Sequence, residues 1–512
     1  MSVRTLAMFG ASWLALAGAA AAQQASEPIQ TNQAAPADPR DARIRELERR
    51  LEDIEGRLND LKASTAAESQ DIRTTLSSAP QTSINNGRAA FATADGSQKL
   101  AVRALVQFDA THYDQDDPAT PDNRRADTAA ASDLNSGTNF RRARLGVDGT
   151  AFKDWNYAIW GEWGGSGAES AVLNQAYIEY AGWKPLANAA PIRFRIGAWA
   201  TPTSLEDATP TADLLFVERP AAAELVRGIA AGDGRSGIGV FANGDRWYGS
   251  AVYTGSTIGA TGEFDEQSGY LLRAAFLPLR GENYGVHVGV NASGILDVAD
   301  VNASPADTQS VRLRERPELR TDATRFVDTG SIAARGVRQY GLELGGQFKN
   351  FYLASEAFQV DLDRSGGVSD PSFRGWYAQG AWTLTGERRR WNGQSGGFAG
   401  IRPTNAFDPK TGHWGAWEIA ARYSDLDLNY HEGAPGLAPV AGDSVRGGEQ
   451  EITSLGLNWY PNSVVRFLLD YQWVSIDRLD PEDSSIATAV AGTGAQIGQD
   501  FQAITLRSQF AF

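Results

Sequence analysis

The segment LAVRALVQFDATHY, residues 100–113, decides the fold. Val102, Ala104, Val106 and Phe108 fall on one face and Arg103, Gln107 and Asp109 on the other, the period-two alternation of a strand between an apolar and a polar surface. The same grammar recurs downstream. In FRRARLGVDG (140–149), Ala143, Leu145 and Val147 oppose Arg142, Arg144 and Asp148; in IRFRIG (192–197), Ile192, Phe194 and Ile196 oppose Arg193 and Arg195. Counting onward through segments such as YGVHVGVN (284–291), AWEIAARYSDL (416–426) and FQAITLRSQF (501–510) gives seventeen candidate strands between residues 100 and 510. RAAFATADGSQKLAVR (88–103) adds a hairpin turning on Asp95-Gly96.

Strands of about ten residues with Arg, Glu and Gln on one side and aliphatic or aromatic residues on the other suit a wall between lipid and a wet lumen. A soluble β-sandwich or propeller also has many strands, but its inner faces are apolar. The predicted fold class is therefore all-β: an antiparallel transmembrane β-barrel of about 16 strands, with an N-terminal α-helical coiled coil. An up-and-down bacterial barrel closes on an even number, so one of the seventeen is in excess. SVRLRER (310–316), followed by Pro317, is the weakest. Fifty-four Gly and 14 Trp, with two Met and no Cys, fit barrel turns and interfacial girdles and exclude a disulfide framework.

The flanks fit export. Residues 1–22 read as a signal peptide, with Arg4, an apolar run and Ala20-Ala21-Ala22 before Gln23; Gly10, Ser12 and Gly18 interrupt the run and oppose a membrane anchor. Residues 23–40 read as a disordered spacer. In residues 41–80, Ile44, Leu47, Leu51, Ile54, Leu58 and Leu61 alternate at spacings of three and four, the seam of a periplasmic coiled coil. Fewer than three clean heptads need an oligomer held together elsewhere, such as a trimeric barrel; the alternative is a lone amphipathic helix. Residues 88–512 form the barrel, whose last strand ends on Phe510 and Phe512, the terminal aromatic that outer-membrane barrel-assembly machinery reads.

Net charge of -15 opposes nucleic-acid binding. No cofactor is predicted, and His112, His287, His413 and His431 are too scattered for a metal site or catalysis. Only six of 47 basic residues are Lys, so the positive charge is guanidinium, suited to oxyanions, although a GC-rich genome would produce the same bias. Arg103, Arg142, Arg144, Arg193, Arg195 and Arg273, with Arg312 and Arg314 if 310–316 is a strand, are expected on the inner wall, as are Asp109, Asp148, Glu162 and Glu179. The long connection 200–235 contains Glu206 and Asp207 and is expected to fold inward as a constriction loop.

FRRARLGVDGTAFKDW (140–155), GAWATPTSLEDATPTADLLFVERP (197–220), GWYAQGAWTLTGERRRW (375–391), GAWEIAARYSDLDLN (415–429) and LGLNWYPNSVVRFLLDY (455–471) together resemble the phosphate-selective porin O/P family. The resemblance implies a sixteen-stranded homotrimer in the outer membrane, surrounded by lipid and lipopolysaccharide, with Arg141, Arg142 and Arg219 helping to hold a small anion. Strict alternation puts Arg141 and Arg142 on opposite faces, so both being lumenal rests on the resemblance unless the strand bends. Two constriction tyrosines of the family are Arg144 and Ala200 here, and a loop lysine is Asp207, a carboxylate that opposes phosphate unless Arg144 compensates. The expected activity is passive diffusion of small hydrophilic solutes, anions favoured, with no enzyme chemistry. The competing reading is a structural tether whose coiled coil grips peptidoglycan or a periplasmic partner.

Overall fold

The computed structural model describes residues 38–115, 133–165, 173–185, 190–259, 265–300, 309–440, 442–481, 494 and 496–512. The signal-peptide segment and residues 23–37 of the spacer lie outside these. The chain divides into two compact units at Ser77/Ser78. The first contains all but the last residue of one helix, α1, Pro39–Ser78, longer than the heptad seam and starting inside the predicted spacer. All six seam residues are exposed on it.

The second unit opens with a hairpin, Gln81–Asn85 against Arg88–Ala92, which the sequence reading missed on its first arm. Asn86 and Gly87 turn it with φ of 50° and 76°, the left-handed pair that a tight hairpin requires. The turn expected at Asp95-Gly96 leads into the barrel, with Ala92 opposite Lys99.

Sixteen antiparallel strands close the barrel. In chain order they are β1 Lys99–Gln115, β2 Gly137–Ala151, β3 Trp155–Glu162, β4 Leu173–Trp183, β5 Ile192–Trp199, β6 Arg235–Asn243, β7 Trp247–Thr257 and β8 Ser268–Arg280. The second half is β9 Tyr284–Asp297, β10 Ile332–Phe348, β11 Phe351–Arg364, β12 Ser372–Thr383, β13 Ala416–Tyr430, β14 Val445–Tyr460, β15 Val465–Asp477 and β16 Phe501–Ala511. Closure comes from β16 pairing with β1, Phe501 opposite Gln115 through Ala511 opposite Leu105. The seventeenth candidate is a loop: residues 310–316 make only two-residue bridges, Ser310–Val311 and Arg314–Glu315. Arg312 and Arg314 are thus removed from the wall, and Arg312 pairs with Asp328 instead.

Alternation sorts the side chains as predicted. Leu342, Leu344, Leu353, Leu455 and Leu506 are exposed on the outside, whereas Gln339, Glu343, Gln379, Ser454, Asn458 and Thr505 are buried inside. An apolar band facing outward around a polar interior is the pattern for a barrel in lipid. Aromatic pairs ring the short-turn end of the outer wall: Trp155 with Tyr180, Trp183 with Phe194, Phe351 with Trp382, and Trp417 with Trp459. Amphipathic rings favour that depth in a membrane.

Among the described residues, three connections fold into the lumen. Residues 200–234 contain α2, Leu205–Ala208, and α3, Ala221–Ala230. Residues 309–331 approach from the same long-loop end, and 384–402 from the short-turn end. The inner wall is apolar where α3 lies: Ala222, Val226, Ile229 and Ala230 join Phe358, Val360, Phe373 and Leu426 in one buried cluster.

Candidate functional site

The site begins with an irregularity in β2. Gln107 of β1 pairs with Arg142, but the next residue, Phe108, pairs with Phe140, so Arg141 is an extra residue in a β-bulge. The bulge turns consecutive arginines to the same side; Arg141 and Arg142 are both buried in the lumen. On the other side of β2 the ladder with β3 ends at Arg144 opposite Glu162, and the Ala143 amide donates to Glu162 Oε1 at 2.7 Å. What simple alternation forbade, one inserted residue permits.

Both arginines meet Glu218 of the long loop. Arg141 donates from Nε and Nη2 at 2.8 and 3.2 Å, and Arg142 Nη2 lies at 3.5 Å from the same carboxylate while its Nη1 donates to Gln107 at 2.7 Å. The third arm is Arg507 of β16. It donates to Glu218 at 2.9 Å and holds Asp109 bidentately at 2.6 Å through Nε and Nη2. Burial pushes the Glu218 carboxyl up, but Arg141, Arg142 and Arg507 outweigh it and hold the group well below the usual carboxylate range.

A second chain of alternating charge adjoins it. Arg144 pairs with Glu162, and its Nη2 reaches Asp233 at 2.6 Å; Asp233 receives Arg227 at 2.5 Å; Arg227 Nε reaches Asp207 at 2.8 Å. Arg219 lies 3.7 Å from Asp207 and donates to the Thr209 carbonyl at 3.4 Å. Arg219 thus sits with Asp207 and not with Arg141 and Arg142. The charge at Asp207 is compensated by Arg227 and Arg219, while Arg144 is committed to Glu162 and Asp233. Glu206 is buried and accepts from Gln379 at 2.7 Å.

Arg193 and Arg195 line the wall away from this centre. Arg195 pairs with Glu179 at 2.7 Å and stacks over Tyr177, 4.1 Å from the ring centroid; Arg193 reaches the Gln394 carbonyl at 3.1 Å. Asp109, Asp148, Glu162 and Glu179, all expected inside, each hold an arginine. Arg273 is bidentate to Glu343, which also receives His287, whose other nitrogen accepts from Trp391 at 3.1 Å. Towards the short-turn mouth, a cavity of about 740 Å³ is lined by Arg280, Arg388, Arg390, Trp391, Asn392 and Gln394.

Arg507, Glu218, Arg227 and Asp233 were missed in the sequence. Arg507 was within reach, since FQAITLRSQF alternates it with Leu506 and Phe510. The loop residues carry no periodic signal.

Charge also pins the loops to each other. Burial pushes Glu224 of α3 up, but Arg227, Arg320 and Arg219 draw it down to about 2. A carboxylate lowered on folding stabilises the docked loop above its unfolded value, about 4.3, and that contribution is lost as pH falls towards 2. Glu315 opposite runs the other way, raised by burial and by Glu224, so its earlier protonation removes repulsion and leaves the attachment intact. Single-channel conductance should therefore hold steady from neutrality to about pH 4.5 and change only below about pH 4. A transition at pH 5–6 would show that these pairs are not what holds the loop.

The family model described as phosphate-selective porin O and P matches residues 111–512. Porin O of Pseudomonas aeruginosa is 26% identical over 364 residues, covering 66% of this chain and 77% of that protein. An uncharacterized protein of Caulobacter vibrioides is 28% identical over 246 residues, covering 46% of this chain and 44% of its own length. Among solved structures, the anion-selective porin from Comamonas acidovorans covers 81% of this chain and 100% of its own, at 12% identity and a TM-score of 0.47. The outer membrane channel DcaP of Acinetobacter baumannii covers 81% and 97%, at 11% identity and a TM-score of 0.42.

Proposed function

The chain belongs to the phosphate-selective porin O and P family, and from that premise we propose how this outer-membrane porin selects its solutes. It is a channel for passive diffusion of small hydrophilic solutes, anions preferred. The single observation that carries the selectivity is the guanidinium cradle of Arg141, Arg142 and Arg507, built where the constriction loop meets the wall. Guanidinium groups with fixed forks replace part of an anion's hydration shell, which lowers the cost of entering a narrow passage. Arg144 and Arg219, paired within the neighbouring charge ladder, set the field around that passage, and Arg193 and Arg195 extend positive charge along the wall.

Assembly is proposed as a homotrimer in lipopolysaccharide-containing outer membrane, with residues 1–22 cleaved and α1 forming a periplasmic three-stranded coiled coil. The exposed seam from Ile44 to Leu61 supports that reading, because six aliphatic side chains on one stripe favour a partner over water. The same seam supports tethering to peptidoglycan or a periplasmic protein as a second role. Deleting residues 23–80 separates the two: conductance should persist, while any envelope-anchoring phenotype is lost.

Purified protein in planar bilayers under a KCl gradient should give a reversal potential on the anion side, and added phosphate should reduce chloride current. A cation-side reversal potential would overturn the selectivity reading.

A further inference from the structure

The cradle is already occupied by a carboxylate of the chain itself. Three guanidinium groups surround Glu218, and the described residues place one further carboxylate, Asp109, among them, on Arg507. Arg142 is incompletely satisfied: it is buried, its Nε has no hydrogen-bond partner among the described residues, and its contact with Glu218 is long at 3.5 Å.

Glu218 is not needed to position its loop. The Val217 amide donates to Asp470 at 2.7 Å, the Val217 carbonyl accepts from Arg507, the Glu218 carbonyl accepts from Arg422 at 3.0 Å, and the Ala221 amide donates to Glu318 at 2.8 Å. Val217 is also buried in an apolar cluster with Leu468 and Phe501. Backbone bonds on both sides therefore fix the segment, and the Glu218 carboxylate is free to do something else. It presents two oxygens to donors spaced for an oxyanion, as a bound carboxylate or phosphate would.

We propose that Glu218 is the specificity-determining residue of this pore: a resident anion in the cradle, which a permeating anion must share or displace. The inference rests on the channel reading above. With Glu218 ionised, three positive charges face two negative ones, a field that passes small monovalent anions but holds phosphate weakly. Neutralising it leaves three against one, and the donors that an amide NH2 cannot satisfy become available to the solute.

The test uses the full-length protein in planar bilayers, with inorganic phosphate as the probe and oligomer mobility on gels as the folding control. Glu218→Gln should raise the anion-to-cation permeability ratio severalfold and lower the phosphate concentration that half-blocks chloride current about tenfold, equivalent to about 1.4 kcal/mol. Glu218→Asp keeps the charge and should stay within about twofold of the wild type, well under that tenfold step. Unchanged selectivity and block in a folded Glu218→Gln channel would overturn the proposal. So would a shift in Glu218→Asp beyond that twofold range, because side-chain size rather than charge would then decide. A cation-preferring wild type is seen before any variant is made and overturns the channel's anion reading instead.

Discussion

Replacing Val226 with Asp should undock the constriction loop and raise single-channel conductance severalfold, with loss of ion preference. Val226 is 1% exposed on α3, inside the cluster formed with Phe358, Val360, Phe373 and Leu426. Ten residues are too few to be stable as an isolated helix, so α3 persists only while docked, through this apolar contact together with the ion pairs of Glu224 and Arg227. A carboxylate put among these apolar side chains costs on the order of 3–5 kcal/mol or more. Val226→Ala, in contrast, removes only about 2 kcal/mol of burial and should leave conductance near the wild-type value. The pins at Glu356 and Glu318, which accept from the Leu205 and Ala221 amides at 2.7 and 2.8 Å, would still hold the loop at α2 and at the start of α3. Wild-type conductance from a folded Val226→Asp channel would mean that those pins, and not the apolar face, keep the loop inside.

That apolar contact also explains where sequence reading stopped. The barrel was legible because strand alternation is a local signal: Gln107 and Asp109 inside, Phe108 outside, repeated around the wall. Its excess strand, 310–316, fell because a short alternation of Arg with Val and Leu also suits a loop whose arginines find carboxylates nearby, as Arg312 finds Asp328. Phe358, Val360 and Phe373 alternate correctly yet face the lumen, and only the docking of α3 explains why apolar residues belong there. The site was half legible. Arg142 and Arg144 follow from alternation, but the inward turn of Arg141 depends on a bulge that leaves no mark in a run such as Phe-Arg-Arg-Ala-Arg. The partners of these arginines, Glu218, Asp233 and Asp207, lie on a non-repeating loop, so which guanidinium is neutralised by which acid is set by tertiary packing alone. Charge at the constriction is therefore a property of pairs, and no count of arginines predicts it.

Arg507 is the residue whose loss should cost the most, because it serves closure and selectivity together. It stands opposite Asp109 across the β16–β1 seam that completes the barrel, is 1% exposed, and joins Asp109 to Glu218. Arg507→Gln would leave two buried carboxylates facing each other with one guanidinium fewer. Removing one partner of a buried ion pair typically costs about 3–5 kcal/mol, far more than the pair itself is worth, since the remaining charge is stranded away from water. Two electrical consequences follow. The cradle changes from three positive against two negative charges to two against two, and Asp109 is freed to attract cations. The reversal potential in a KCl gradient should move towards zero or to the cation side, and the oligomer should melt at lower temperature in detergent. Adding Asp109→Asn to Arg507→Gln removes the stranded carboxylate and should recover most of the thermal stability and part of the anion preference. If the single variant keeps both the wild-type reversal potential and the wild-type melting temperature, the seam is held by its backbone ladder and the filter does not include β16. If the second substitution recovers stability but not preference, closure and selection are separate tasks that happen to meet at one side chain.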